Sequence, residues 1–165
     1  MDDLGNDPRI DELDLRLLRL LDEHPRISVL ELSRQLRVAR GTAQARLDKL
    51  RRTGIVRSLG PELEPAALGY EVLAFVTIET DQSAIGPLAE HFASIPEVIE
   101  AHTTSGTGDV LVKVAGRSNV DLQRVLTRLL DHSAVLRTDT TIVLSTLFAP
   151  RTLPLAEANL DGRRT

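Results

Sequence analysis

Leucines recur at helical spacing near the start of the chain. Leu13, Leu17, Leu20 and Leu21 share one face of a helix predicted over Asp11–Glu23, with Asp11 as its N-cap and Pro25 just beyond its end. Val29, Leu32 and Leu36 mark a short second helix entered at Ser28, where Glu31 three residues later completes the spacing of a capping box. The apolar pattern restarts almost at once in Ala43, Leu47 and Leu50, so a tight turn is required near Arg37 and Val38, and Gly54 supplies a C-terminal stop. Three helices therefore fill residues 1–54. Between Ile55 and Tyr70 the residues Ser58, Gly60, Pro61, Pro65 and Gly69 break any period, which predicts a linker over 55–70 with one extended piece at Val56–Leu59.

Beyond the linker, strand-like and helix-like runs alternate: strand Glu71–Thr80, helix Ser83–Ser94, strands Val98–Thr104 and Asp109–Ala115, helix Val120–His132, and strand Val135–Leu147. This β-α-β-β-α-β order predicts an α+β chain: a ferredoxin-like split sandwich over 71–150 behind the three-helix domain, with both its helices on one face of four antiparallel strands. Residues 151–165 are left as a polar C-terminal tail. In Val72-Leu73-Ala74-Phe75-Val76 and Val110-Leu111-Val112 neighbouring positions are all apolar, whereas a sheet with one wet face alternates. The second face needs cover, and the same sheet from another copy supplies it most simply, as a symmetric dimer. A loop or tail folding back is the alternative, and Pro154–Thr165 reads as too polar to serve.

Composition narrows the classes. The 165 residues, 42% hydrophobic and 27% charged, suit one ordinary soluble domain or two small ones. With three Phe, one Tyr and no Trp, the core falls to aliphatic residues, and base stacking on single-stranded nucleic acid is disfavoured. The absence of Cys removes disulfides and thiol chemistry, and four scattered His (His24, His91, His102, His132) lack metal-ligand spacing, so neither metal nor cofactor is expected. Met1–Pro8 is acidic without the apolar run of a signal peptide, and no segment approaches the roughly 20 apolar residues of a membrane span, so a cytoplasmic protein is expected. No Ser-His-Asp order, phosphate loop or carboxylate pair marks an enzyme.

Charge is distributed unevenly. The chain carries −4 overall, yet from Arg34 to Arg57 there are eight basic residues and one acid, Asp48. This cationic run coincides with the second helix of a tightly turned pair, the arrangement in which a helix-turn-helix puts the start of its second helix into the major groove of DNA. With Ala43, Leu47 and Leu50 facing inward, Arg40, Gly41, Thr42, Gln44, Ala45 and Asp48 are expected on or beside the outer face. Arg40 is suited to guanine O6 and N7, Gln44 to adenine N6 and N7, and the small Gly41 and Ala45 to close approach. Arg34, Arg46, Lys49, Arg51 and Arg52 are phosphate candidates, with pairing to an acid as the competing role for Arg46.

These features together resemble the Lrp/AsnC (feast/famine) regulators of bacteria and archaea. The resemblance runs from about Ile10 to Leu147. It is carried by Ile10-Asp11-Glu12-Leu13-Asp14 with Leu17-Leu18, Arg26-Ile27-Ser28 with Glu31-Leu32, Arg46 with Leu50, Gly54 and Ile55-Val56, Leu68-Gly69-Tyr70, Gly106 with Asp109 and Val110–Val114, and Val135-Leu136-Arg137-Thr138 with Thr140–Leu144. It implies a winged helix-turn-helix, homodimers building into rings such as octamers, and an amino-acid effector bound near a Gly-x-x-Asp loop, with Thr104, Gly106, Gly108, Asp109, Thr138 and Thr140 as the candidate lining. Three departures stand out: Arg37 where the family has Gly, Ala39 where it has a capping Ser, and Gly108 in place of an aromatic. Two other classes fit the same residues, an effector-independent architectural DNA-wrapping protein and a ligand-binding module whose helix-turn-helix has decayed.

Overall fold

The computed structural model describes residues 10–57 and 62–162, which fall into two compact units, one of residues 10–57 with 148–162 and one of residues 62–147. In the first, α1 (Glu12–Glu23), α2 (Val29–Leu36) and α3 (Arg40–Arg52) are joined by α6 (Leu153–Asp161). Asp11 opens α1: its carboxylate accepts the Asp14 amide at 2.9 Å, and the Asp14 carboxylate accepts the Asp11 amide at 3.3 Å, a complete capping box. At Ser28 only half of the expected box forms. The hydroxyl takes the Glu31 amide at 3.1 Å, while the Glu31 carboxylate turns along the helix to Gln35 and Arg34.

The turn between α2 and α3 is tight because Arg37 adopts left-handed backbone, φ 57° and ψ 45°. The Arg37 and Val38 amides then donate to the carbonyls of Arg34 and Ser33 at 3.2 and 3.0 Å, satisfying the end of α2. Arg37 is the one non-glycine residue with positive φ among those described. A side chain there costs on the order of 1 kcal/mol against glycine. Ala39 caps α3 with no side-chain hydrogen bond. Both departures from the family pattern are thus visible as local weaknesses at one turn.

Leu17, Leu21, Leu32, Leu36, Leu47 and Leu50 form the buried core of this unit, with Ile10 at its edge. The presumed polar tail also contributes to it. Within residues 151–165, α6 lays Ala156 and Leu160 against this core, and Glu157 takes both Nε and Nη2 of Arg19 at 2.8 Å. A nine-residue helix is too short to hold by itself and is held by this docking.

In the second unit, β1 (Val72–Thr80), α4 (Ile85–Ala93), β2 (Val98–Thr103), β3 (Val110–Gly116), α5 (Asn119–Leu130) and β4 (Val135–Ile142) build one antiparallel sheet in the order β2-β3-β1-β4. That is the ferredoxin-like arrangement. Ala74, Val76 and Ile78 of β1 and Val110, Val112 and Val114 of β3 are buried with Leu88, Phe92, Leu122, Val125 and Leu129 of the helices. The alternate positions Leu73, Phe75, Thr77 and Glu79 of β1 and Leu111 and Lys113 of β3 lie on the opposite face, half-buried or exposed. β4 ends at Ile142, earlier than Leu147. The linker contains one 3-10 turn at Ala66–Leu68, and the extended piece expected at Val56–Leu59 falls partly on 58–61, outside the described residues. No helix among the described residues is long and apolar enough to cross a membrane.

Candidate DNA interface and effector cleft

Three apolar residues anchor α3: Ala43, Leu47 and Leu50 are buried against the other helices. Their spacing leaves Arg40, Gly41, Thr42, Ala45, Asp48, Arg51 and Arg52 exposed and Gln44 half-buried. The Gln44 amide nitrogen donates to Asp48 at 2.9 Å. Arg40 has no ion pair among the described residues, and Arg34 on α2 meets Glu31 only at 3.6 Å.

Two of the expected phosphate ligands are placed differently. Asp14 of α1 has no exposed surface, and Lys49 Nζ lies 2.7 Å and Arg46 Nη1 3.1 Å from its oxygens. Arg46 also hydrogen-bonds Asp11. Burial works to raise the Asp11 carboxyl, but the Asp14 amide and the Arg46 guanidinium together outweigh it and hold the group below the usual aspartate range. The Asp11 hydrogen bond pushes the Arg46 guanidinium upward in turn. Arg46 therefore takes the acid-paired of its two expected roles, and Lys49, expected at phosphate, is engaged with Asp14. A buried carboxylate needs its cations, so this triad braces α3 on α1. In the sequence Asp11 stands out as a cap, whereas Asp14 is marked only through its partners. Its signal was the pair of cations three residues apart, Arg46 and Lys49, on the flank of α3 beside the apolar stripe.

In the sheet unit the loop after β2 is tied down by its own residues. The Thr104 hydroxyl donates to the Gly108 carbonyl at 2.7 Å, the Asp109 amide to the Ile78 carbonyl at 2.9 Å, and the Thr80 amide to the Asp109 carboxylate at 2.8 Å. Gly108 is buried against β1, and a Cβ there would stand 2.3 Å from the Thr77 methyl and 3.3 Å from the Ile78 carbonyl oxygen. Glycine is thus required by close approach to the neighbouring strand.

Beside this loop lies a cleft of about 480 Å³ lined by Thr77, Glu79, Thr107, Arg137, Thr138 and Asp139. Cross-strand register explains the gathering: Thr77 faces Asp139 and Glu79 faces Arg137 across β1 and β4, and the latter pair is 3.9 Å apart. Of the expected effector residues, Thr138 lines the cleft. Thr104, Gly106, Gly108 and Asp109 shape the loop that presents Thr107, and Thr140 lies outside. Thr77, Glu79, Thr107, Arg137 and Asp139 complete the lining beyond the expected residues, although the period-two spacing of Thr77 with Glu79 and of Arg137 with Asp139 puts each pair on one face of its strand.

A small helical unit that presents an arginine-led helix, joined to a split βαβ sandwich with a polar cleft, defines a DNA-binding regulator of the helix-turn-helix class carrying a ligand-binding domain. Residues 10–57 match the winged helix-turn-helix DNA-binding family, and residues 73–153 match the Lrp/AsnC ligand binding domain. An uncharacterized HTH-type transcriptional regulator of Pyrococcus abyssi is 32% identical over 138 residues, 83% of this chain and 87% of that one. The HTH-type transcriptional regulator FL11 of Pyrococcus horikoshii is 29% identical over 146 residues, 88% of this chain and 97% of its own. Among solved structures, AsnC of Escherichia coli superposes with a TM-score of 0.81 at 30% identity, covering 88% of this chain and 99% of that one. A transcriptional regulator of Neisseria meningitidis in complex with L-methionine gives 0.80 at 25% identity, covering 91% and 99%. The chain belongs to the Lrp/AsnC family of transcriptional regulators.

Proposed function

We propose that this regulator reads specific duplex sequences with the first two turns of α3, in the cytoplasm, and that an amino acid bound at the outer sheet face modulates its assembly or its DNA binding. The observation that carries the DNA part is the brace on α3: Arg46 and Lys49 are held by Asp14, while Arg40, Gly41, Thr42, Gln44 and Ala45 remain presented. Arg40 and Gln44 are assigned to base edges, Gly41, Thr42 and Ala45 to close approach, and Arg34, Arg51 and Arg52 to phosphates.

The effector reading is supported by the charge pattern of the cleft. Arg137 suits a carboxylate, Glu79 and Asp139 suit an ammonium group, and three threonines offer hydroxyls, so the lining complements a zwitterion. The Neisseria relative holding L-methionine supports the same ligand class, while the polar lining here favours a polar side chain. The sheet face bearing Leu73, Phe75 and Leu111 is assigned to a second copy, giving a homodimer that builds into higher oligomers such as octamers. An effector that binds two assembly states unequally then shifts the population between them.

Calorimetry of the full chain with each of the twenty amino acids, alongside sedimentation and gel shifts on DNA upstream of its own gene, tests these assignments. At least one amino acid is expected to bind and to change either oligomer size or the shift, and Arg40→Ala is expected to abolish the preference over random DNA. Silence from all twenty with unchanged assembly would overturn the effector reading and leave an architectural DNA-wrapping role. An Arg40→Ala protein that still prefers the same DNA would overturn the groove assignment.

A further inference from the structure

Asp48 is the single acid in the cationic stretch from Arg34 to Arg57, and it stands exposed on α3 one turn beyond Gln44. An acid facing a polyanion opposes binding to every sequence alike, so its position there implies a compensating use. Its Oδ1 accepts the Gln44 Nε2 hydrogen at 2.9 Å, and Arg51 Nη1 lies 3.9 Å away, on the following turn.

A carboxylate accepts hydrogen bonds and donates none, so this contact decides which end of the Gln44 amide carries the nitrogen. One N–H of Gln44 is used on Asp48. The second N–H and Oε1 are left over, and that donor and acceptor are what adenine N7 and N6–H2 require. Without Asp48 the amide is a fork with two similar ends, free to turn over and to set a donor against the adenine amino group. On an exposed helix face the contact is weak, and in a groove that excludes water it strengthens.

We propose that Asp48 is a specificity-determining positioning residue, which orients the Gln44 amide for adenine while its charge weakens binding to unrelated duplex. The proposal rests on the groove assignment of α3 made above. Arg51 lies on the turn beyond Asp48, with its Nη1 3.9 Å from the same Oδ1 that accepts from Gln44, a distance that leaves this oxygen to the amide.

The test begins with operators enriched by the full-length wild-type protein from a pool of random duplexes. Fluorescence anisotropy then gives Kd for the enriched operator, its single-base-pair variants and a random duplex, with wild type, Gln44→Ala, Asp48→Ala and the double variant. Asp48→Ala is expected to tighten the random duplex about threefold to tenfold and to reduce discrimination at one A·T pair on the order of tenfold. Gln44→Ala is expected to lose discrimination at that same pair, and the double variant to lose no more than either single one. A role confined to helix stability would move the melting temperature and leave the base preference untouched. Asp48→Ala with wild-type base preference, or losses that simply add in the double variant, would overturn the proposal while leaving the groove assignment standing. A wild-type protein that enriches no duplex sequence would remove both.

Discussion

Replacing Asp14 with Asn keeps the side-chain shape and removes one negative charge from beneath the DNA-binding helix. Asp14 is fully buried and faces Arg46 at 3.1 Å and Lys49 at 2.7 Å, so the variant sets an amide where two cations require an acceptor. Deleting one side of a buried ion pair costs about 3 to 5 kcal/mol. Here the cations keep 31% and 32% of their side-chain surface exposed, and Asp11 remains beside Arg46, so solvent screening brings the expected loss to about 2 to 3 kcal/mol. A domain of this size has a total stability of only about 5 kcal/mol or somewhat more. Thermal unfolding followed by circular dichroism should show the helical unit melting at least about 8 °C lower. The same substitution removes one negative charge from beside Lys49 and Arg46, so the salt dependence of binding to random DNA, measured below the new melting temperature, should steepen by about one unit. Lower stability with a steeper salt slope is the signature of the brace. A variant that melts within about 0.5 kcal/mol of wild type would refute the reasoning, because a buried carboxylate holding two cations cannot be neutralised without effect.

Arg37→Gly relieves the left-handed turn after α2, a gain of about 1 to 2 kcal/mol set against the extra freedom glycine gives the unfolded chain, so a net stabilisation of about 0.5 to 1 kcal/mol is expected in chemical denaturation. Ala39→Ser supplies the missing cap of α3 and should add about 1 kcal/mol in the same assay. Asp11 carries a lowered carboxyl pKa in the folded protein, so its contribution to stability is complete above the ordinary aspartate value of 3.8 and is lost as pH falls through the lowered folded value. Asp11→Asn should accordingly lose less melting temperature than wild type on acidification below that range. Gly108→Ala forces a methyl against the Thr77 side chain and the Ile78 carbonyl, and should lower the melting temperature of the sheet unit by an amount corresponding to about 1 to 3 kcal/mol.

Most of the fold was legible because its elements are written in period and punctuation. The leucines of the first three helices repeat at three and four residues, and the residues that break the pattern, Pro25, Gly54 and the linker glycines and prolines, stand where the elements stop. A tight turn near Arg37 and Val38 was legible too, as a geometric demand made by two helices with too few residues between them, while its left-handed backbone at Arg37 is seen in the structure. What escaped reading depends on tertiary placement. Asp14 looks like any acid in a first turn until α3 brings Lys49 and Arg46 over it. The helix Leu153–Asp161 has only Ala156 and Leu160 directed at a core, too few for a pattern in the sequence alone. Of the cleft lining only Thr138 was legible, because most of the rest comes from cross-strand partners, Glu79 with Arg137 and Thr77 with Asp139, and register is set by pairing across the sheet.

Because residues 148–162 return to the unit of residues 10–57, the sheet unit is an insertion within the helical one, entered and left by separate connectors. One proteolytic cut in either connector leaves two pieces with no covalent link between them, held together only by the packing of α6 on the three-helix core. The Arg19–Glu157 contact then acts as a noncovalent clasp closing the loop of chain. Limited digestion should yield a nicked protein that migrates as one species until a denaturant opens the clasp, and a fusion partner placed after Asp161 will load the DNA-binding helices before it disturbs the sheet.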